Sequence, residues 1–138
     1  MRILFLDDME ARHEAFAEYA REHGFLVDHA YTAEQAIKML GRGFPYVGAC
    51  LDHDLADEHY AAPYVSPSMG GTAHSGRAVA RWIAEKGRPR HVLVHSFNPD
   101  GAQAIVGILT EKPSEVLVMR APFGPKSCAA WLSMLARG

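Results

Sequence analysis

Apolar positions along the chain follow two kinds of pattern. Ile3–Leu6, Tyr46–Leu51, His91–Val94 and Val116–Met119 are short runs rich in branched residues with little polar interruption, and Phe25–His29 is a weaker fifth. Unbroken rather than alternating hydrophobicity marks parallel strands covered on both faces. Between the runs the apolar spacing lengthens to the period of a helix. Thr32-Ala-Glu-Gln35 reads as a capping box ahead of Ala36, Ile37 and Leu40, with Gly41 as the stop. Val79, Trp82 and Ile83 form a stripe before Gly87 and Pro89, and Asn98-Pro99 supplies a cap and an N1 proline ahead of Ile105, Ile108 and Leu109. A last helix carries Cys128, Trp131, Met134 and Leu135. Such stripes are read as core. Strand and helix alternate five times, which predicts an α/β fold: one doubly wound five-stranded parallel sheet in the flavodoxin-like order 2-1-3-4-5, spanning residues 1–138 as a single domain. The stretch Ala56–His74 after strand 3 is longer than ordinary connections and is expected to be a lid or specificity loop, a family-specific insertion with no role being the alternative.

Composition narrows the partners. The chain has 138 residues, 49% of them hydrophobic and 22% charged, as in ordinary globular proteins, and a net charge of −2. That balance argues against a partner such as long nucleic acid, whose binding draws on many Lys and Arg contacts to phosphates. No apolar stretch approaches the roughly 20 residues of a membrane span, and the opening MRILFLDD lacks a signal-peptide pattern. Two cysteines, Cys50 and Cys128, without CxxC spacing read as buried thiols, and the expected location is the cytoplasm. Eight histidines are unusual enough to hold candidate chemistry; of these, His13, His23, His29 and His91 have no acidic neighbours at strand ends and are expected at the surface.

In doubly wound sheets ligands lie beyond the carboxyl ends of the strands. There the sequence places Asp7 and Asp8 after strand 1, Asp52, His53 and Asp54 after strand 3, His95, Ser96 and Asn98 after strand 4, and Arg120 at the end of strand 5. Carboxylates crowded in one crevice repel one another unless a cation joins them. Asp7, Asp8, Asp52 and Asp54 are therefore candidate ligands of a divalent metal, Mg²⁺ or Mn²⁺ for an oxygen-only set. The simpler alternative is that Asp7 and Asp8 cap the first helix. If strand 3 persists, Asp52 and Asp54 share one side and His53 faces the other. His95 is a candidate general acid or base or a metal ligand; a hydrogen-bonded structural histidine is the alternative. A helix starting at Asn98 directs free N–H groups toward an anion, and Arg120 offers forked donors to phosphate or pairs with one of the acids. Arg12, one turn into the first helix, either reaches the site or is solvated, and His74 in the Gly-rich segment before the third helix is a possible pocket residue.

These residues resemble those of response-regulator receiver domains over nearly the whole chain: the pair Asp7-Asp8, Asp52 after strand 3, a hydroxyl at Ser96, and a cation before proline in Arg120-Ala-Pro122. In receivers the acids bind Mg²⁺ and the strand-3 aspartate accepts a phosphoryl group, which the resemblance assigns to Asp52. The sequence departs from that pattern where arginine and an extra Ala121 replace a lysine directly before proline, and where His53, Asp54 and a long insertion follow the aspartate. LDD near the start, LDHDL at 51–55 and HSFNP at 95–99 are more similar to the cyclic-phosphate processing receiver domain, a branch linked with prokaryotic and phage systems. The resemblance implies a metal-assisted phosphodiesterase acting on a cyclic nucleotide or cyclic-phosphate end, with His95 as proton donor, Ser96 and His53 as further catalytic candidates, and Asn98, Arg120, Arg12 and His74 around the phosphate. A phosphoacceptor switch at Asp52 and a non-catalytic cyclic-nucleotide binder are the alternatives. Its expected partner is a small phosphorylated ligand, and a homodimer is compatible with the sequence.

Overall fold

The protein is described by a computed structural model covering residues 1–53, 75–111 and 115–138. Strands β1 (Arg2–Leu6), β2 (Leu26–Ala30), β3 (Gly48–Leu51), β4 (His91–Val94) and β5 (Leu117–Arg120) alternate with helices α1 (Glu10–Glu22), α2 (Ala33–Gly41), α3 (Gly76–Lys86), α4 (Pro99–Thr110) and α5 (Pro125–Ala136). The strands form one parallel sheet in the order β2-β1-β3-β4-β5, the flavodoxin-like arrangement that the alternation predicts. Among the described residues, no helix is long and apolar enough to cross a membrane.

Side-chain parity along the strands divides the core in two. Leu4, Leu6, Ala49, Leu51, Val92 and Val94 pack under α2, α3 and α4 with Ala36, Leu40, Val79, Ile83, Ile105 and Leu109. Ile3, Phe5, Cys50 and Leu93 face α1 and α5, meeting Phe16, Ala20, Cys128, Trp131 and Leu132. Both cysteines are buried and unbridged, and burial pushes the Cys50 thiol well above its usual pKa.

Local sequence sets the helix starts. Thr32 caps α2 by accepting from the Gln35 N–H at 3.0 Å, and Gln35 Oε1 accepts from the Tyr31 N–H at 2.8 Å. Reciprocity thus reaches one residue farther back than in a standard capping box. Asn98 caps α4 by accepting from the Gly101 N–H at 2.9 Å, with Pro99 following. Two boundaries differ from the expectation. Gly41 closes α2 as its last helical residue, and the left-handed turn falls on Gly43, whose φ of 80° only glycine adopts cheaply. Strand β3 starts at Gly48 rather than Tyr46, and a Cβ at Gly48 would stand 2.7 Å from the Trp131 ring of α5.

Candidate functional site

Strand register brings the acids together. Leu6 is paired with Leu51, and Leu51 with Val94; the ladder runs one residue farther, since the Asp52 N–H donates to Leu6 O at 3.2 Å and the His95 N–H to Leu51 O at 3.0 Å. Asp7, Asp52 and His95 are thus neighbours at the carboxyl edge. They also share the parity of Phe5, Cys50 and Leu93, the face toward α1 and α5.

Asp7 is fully buried and heavily bonded. Its Oδ1 accepts from the Met9 N–H at 2.9 Å, and its Oδ2 accepts from His95 Nε2–H at 2.9 Å and from Arg12 Nη1 at 3.2 Å. Burial alone would raise its pKa, but the bonds from His95 and Met9 and the nearby Arg12 charge hold the carboxyl below its usual value. The bond to Met9 steadies the turn before α1, but Met9 is the N-cap and no side chain caps that helix, so helix capping does not account for Asp7. Asp8 is half-buried, and burial first, then the Asp7 charge, raises its pKa. One carboxylate oxygen from each of Asp7, Asp8 and Asp52 lies within 4.8 Å of the other two.

Arg12 projects into this pocket instead of into solvent. Its Nη1 is 3.7 Å from Asp52 Oδ2 as well as 3.2 Å from Asp7, and its guanidinium carbon sits 4.7 Å from the centre of the Phe97 ring. A fixed cation thus bridges the two buried acids. The donor set fits a hard divalent ion, for which carboxylate oxygens are the preferred ligands. Asp7, Asp8 and Asp52 would hold such an ion, with Arg12 beside them.

His95 occupies a different place from the one expected of a proton donor to substrate. Its ring has 0% exposure, stacks on Phe5 at 5.0 Å and meets the edge of Phe123 at 5.7 Å. Burial lowers its pKa against the pull of Asp7, so the neutral ring donates Nε2–H to the carboxylate. Nδ1 is buried with no hydrogen-bond partner among the described residues. Among the described residues, the contact of His95 with the acidic cluster runs through Asp7.

His53 also leaves the pocket. It has the parity of Leu51, accepts from Arg77 Nε–H at 2.9 Å, and lies against Gly101, where any Cβ would overlap its ring. Ser96 and Arg120 are displaced in another way. Asp8, Met9, Arg12, Asp52, Phe97 and Asn98 line one cavity of about 340 Å³, whereas Ser96, Phe97, Pro99, Arg120, Ala121 and Pro122 line a second of about 300 Å³. Among the described residues, the crevice expected from the sequence thus divides into two lobes sharing Phe97. Arg120 is held by Gln103 Oε1 at 3.1 Å and Pro99 O at 3.2 Å, and the Ser96 hydroxyl accepts from the Asn98 N–H at 3.1 Å. Asp54, His74 and the 56–74 loop lie outside the described residues.

His13 is another correction: it is buried, not superficial. Its Nε2–H donates to the Asp7 carbonyl at 2.8 Å, so its Nδ1 accepts from His29 Nδ1–H at 2.6 Å. The signal was available, because positions 13, 16 and 20 form one helical stripe with Phe16 and Ala20. Phe97 was missed because a single exposed aromatic in a strand-to-helix turn has no periodicity to flag it.

A sequence-family model described as the Cyclic-phosphate processing Receiver domain matches residues 2–111. No curated protein matches the chain. Among solved structures, the chain is similar to the N-terminal domain of a response regulator/sensory box/GGDEF 3-domain protein from Carboxydothermus hydrogenoformans, with TM-score 0.69, 15% identity, and coverage of 99% of this chain and 94% of that one. A CheY-like response regulator receiver domain protein from Methanospirillum hungatei JF-1 gives TM-score 0.66 and 14% identity, covering 99% and 93%. The receiver domain of Francisella response regulator 1452 gives 0.65 and 15%, covering 99% and 96%. At these identities the likeness establishes the receiver fold.

Proposed function

The chain belongs to the cyclic-phosphate processing receiver domain family, and from that premise we propose that it is a metal-dependent phosphodiesterase acting on a cyclic nucleotide or a cyclic-phosphate end. The observation that carries the reading is the composition of the Asp52 lobe: three clustered carboxylates with an arginine from α1 among them. Carboxylates alone repel a phosphate; acids that hold a divalent ion, with a guanidinium beside them, attract one.

Asp8 and Asp52 are the groups that would hold the ion, with Asp7 completing the set. Bound Mg²⁺ or Mn²⁺ supplies charge neutralisation and lowers the pKa of a coordinated water. Asp7 is oriented by His95 and the Met9 N–H, which makes His95 a positioning residue. Arg12 stands beside these carboxylates, where its forked donors would meet the phosphate oxygens, and Asn98 lines the same lobe.

A second reading is favoured by one observation: Asp52 directly follows β3 beside Asp7 and Asp8 in a receiver fold, the place of a phosphoacceptor. Against it, Arg120 stands in the other lobe, bonded to Gln103 and Pro99. The two readings separate in paired incubations. With cyclic mononucleotides, cyclic dinucleotides and 2′,3′-cyclic-ended oligonucleotides plus Mg²⁺ or Mn²⁺, chromatography is expected to show ring-opened or linear products that Asp52→Ala does not form. With acetyl phosphate and Mg²⁺, a stable phosphoryl mass on Asp52 and no turnover of any cyclic ester would instead establish the switch.

A further inference from the structure

Phe97 is the feature that neither the metal cluster nor the fold explains. Its ring is 57% exposed, and what sets it apart from other exposed apolar side chains is that it lines both lobes at the carboxyl edge of the sheet. It is not on a loose tip. Ser96 before it accepts from the Asn98 N–H at 3.1 Å, Asn98 after it caps α4 at 2.9 Å, and Pro99 fixes the next backbone angle. The turn therefore presents the ring in one place. The Arg12 guanidinium lies over it at 4.7 Å, a cation–π contact that ties the ring to the acidic lobe. The same ring forms the wall between that lobe and the second one, where Arg120 is braced by Gln103 and Pro99.

We propose that Phe97 is a stacking platform for the base of a nucleotide ligand whose phosphate lies in the acidic lobe, the base entering the Arg120 lobe. Resting on the phosphodiesterase reading, this narrows the substrate class from cyclic phosphates in general to base-bearing ones. The chemistry follows from the parts. A phosphate drawn to the metal and Arg12 leaves the sugar and base to extend past the shared wall, and an aromatic face is the surface that planar heterocycles prefer and a bare sugar does not. Arg120 in the receiving lobe supplies donors for acceptor atoms on the base edge. Stacking tolerates any base, so the platform selects for a base without selecting which.

The test is calorimetric binding with Ca²⁺ in place of Mg²⁺, using 2′,3′-cyclic AMP and 3′,5′-cyclic AMP against the corresponding methyl riboside cyclic phosphates that lack the base. The natural protein is expected to bind at least one base-bearing ester about fivefold or more tightly than its baseless counterpart, the lower end of base–aromatic stacking. Phe97→Leu, which keeps apolar bulk without a ring face, is expected to bring that ratio close to one, and Phe97→Trp to preserve or increase it. A ratio near one in the natural protein, or a preference that survives Phe97→Leu, overturns the platform while leaving the phosphodiesterase reading in place. If neither kind of ester binds, the phosphodiesterase reading itself fails and the platform with it.

Discussion

Asp7 is the residue through which the site and the core communicate. Its carboxylate receives His95, Met9 and Arg12 in a setting with no exposure. Asp7→Ala leaves the His95 and Arg12 donors without their acceptor, and a loss of about 3–5 kcal/mol in urea unfolding is expected; a loss below about 1 kcal/mol would contradict the network. His95 has a sharper test. If it only orients Asp7, His95→Gln, which retains a donor, should keep most of the turnover and the same alkaline limb of the pH–rate profile. A proton donor would instead cost about 10²–10⁴-fold and abolish that limb. Arg12 predicts a thermal effect: Arg12→Ala removes the cation already among the acids, so Mg²⁺ should raise the melting temperature more in the variant than in the natural protein. Equal shifts would show that Arg12 and the ion do not share the pocket. Asp7, Asp8 and Asp52 were legible in the sequence because strand ends are identifiable from apolar runs. The burial of His95 was not, since it depends on Phe5 and Phe123 closing over it from β1 and the segment before α5. Arg12 was ambiguous because helical position alone does not say which way α1 leans over the sheet.

Elements were read more easily than their ends. The inner strands β1, β3 and β4 came from unbroken apolar runs, which is what burial between two helical layers demands, whereas the edge strand β2, half-exposed, gave the weaker run. Asn98-Pro99 located the start of α4 because the cap is a local side-chain bond. The N-terminal edge of β3 escaped, since Gly48 is required by the Trp131 ring far along the chain. Gly48→Ala is accordingly expected to cost about 1–3 kcal/mol by overpacking, read as a lower urea midpoint with unchanged slope; an unchanged midpoint would mean that α5 yields freely. Gly76 plays the same part at the start of α3, where a Cβ would overlap the Asp52 carbonyl. Helix α3 thus reaches the site through a close approach that sequence spacing does not announce.

For the whole molecule, the histidines set the response to acid. His29, His91 and His95 have pKa values lowered from 6.5, in each case first by burial. A depressed folded-state pKa favours the neutral ring, so the stability it contributes is present above pH 6.5 and is lost as pH falls toward the folded values. Urea unfolding at pH 7.5 and 5.5 is expected to show the lower stability at 5.5, and a rise on acidification would contradict the assignment. The net charge of −2 says little by itself, because what matters is that three of the acids share one edge of the sheet. The order of the strands makes that edge, and the order was predictable; the division of the edge into two lobes was not, since it depends on where one ring stands. The central claim is that this edge, loaded with a divalent ion, opens a cyclic phosphate. Phosphorus-31 NMR of 2′,3′-cyclic AMP, 3′,5′-cyclic AMP and a cyclic dinucleotide incubated with the protein and Mg²⁺ tests it most directly. At least one diester signal is expected to be replaced by a phosphomonoester signal, and chelating the Mg²⁺ or substituting Asp52→Asn is expected to stop the change. Diester signals that persist with Mg²⁺ present, or that disappear equally fast with Asp52→Asn, would contradict it.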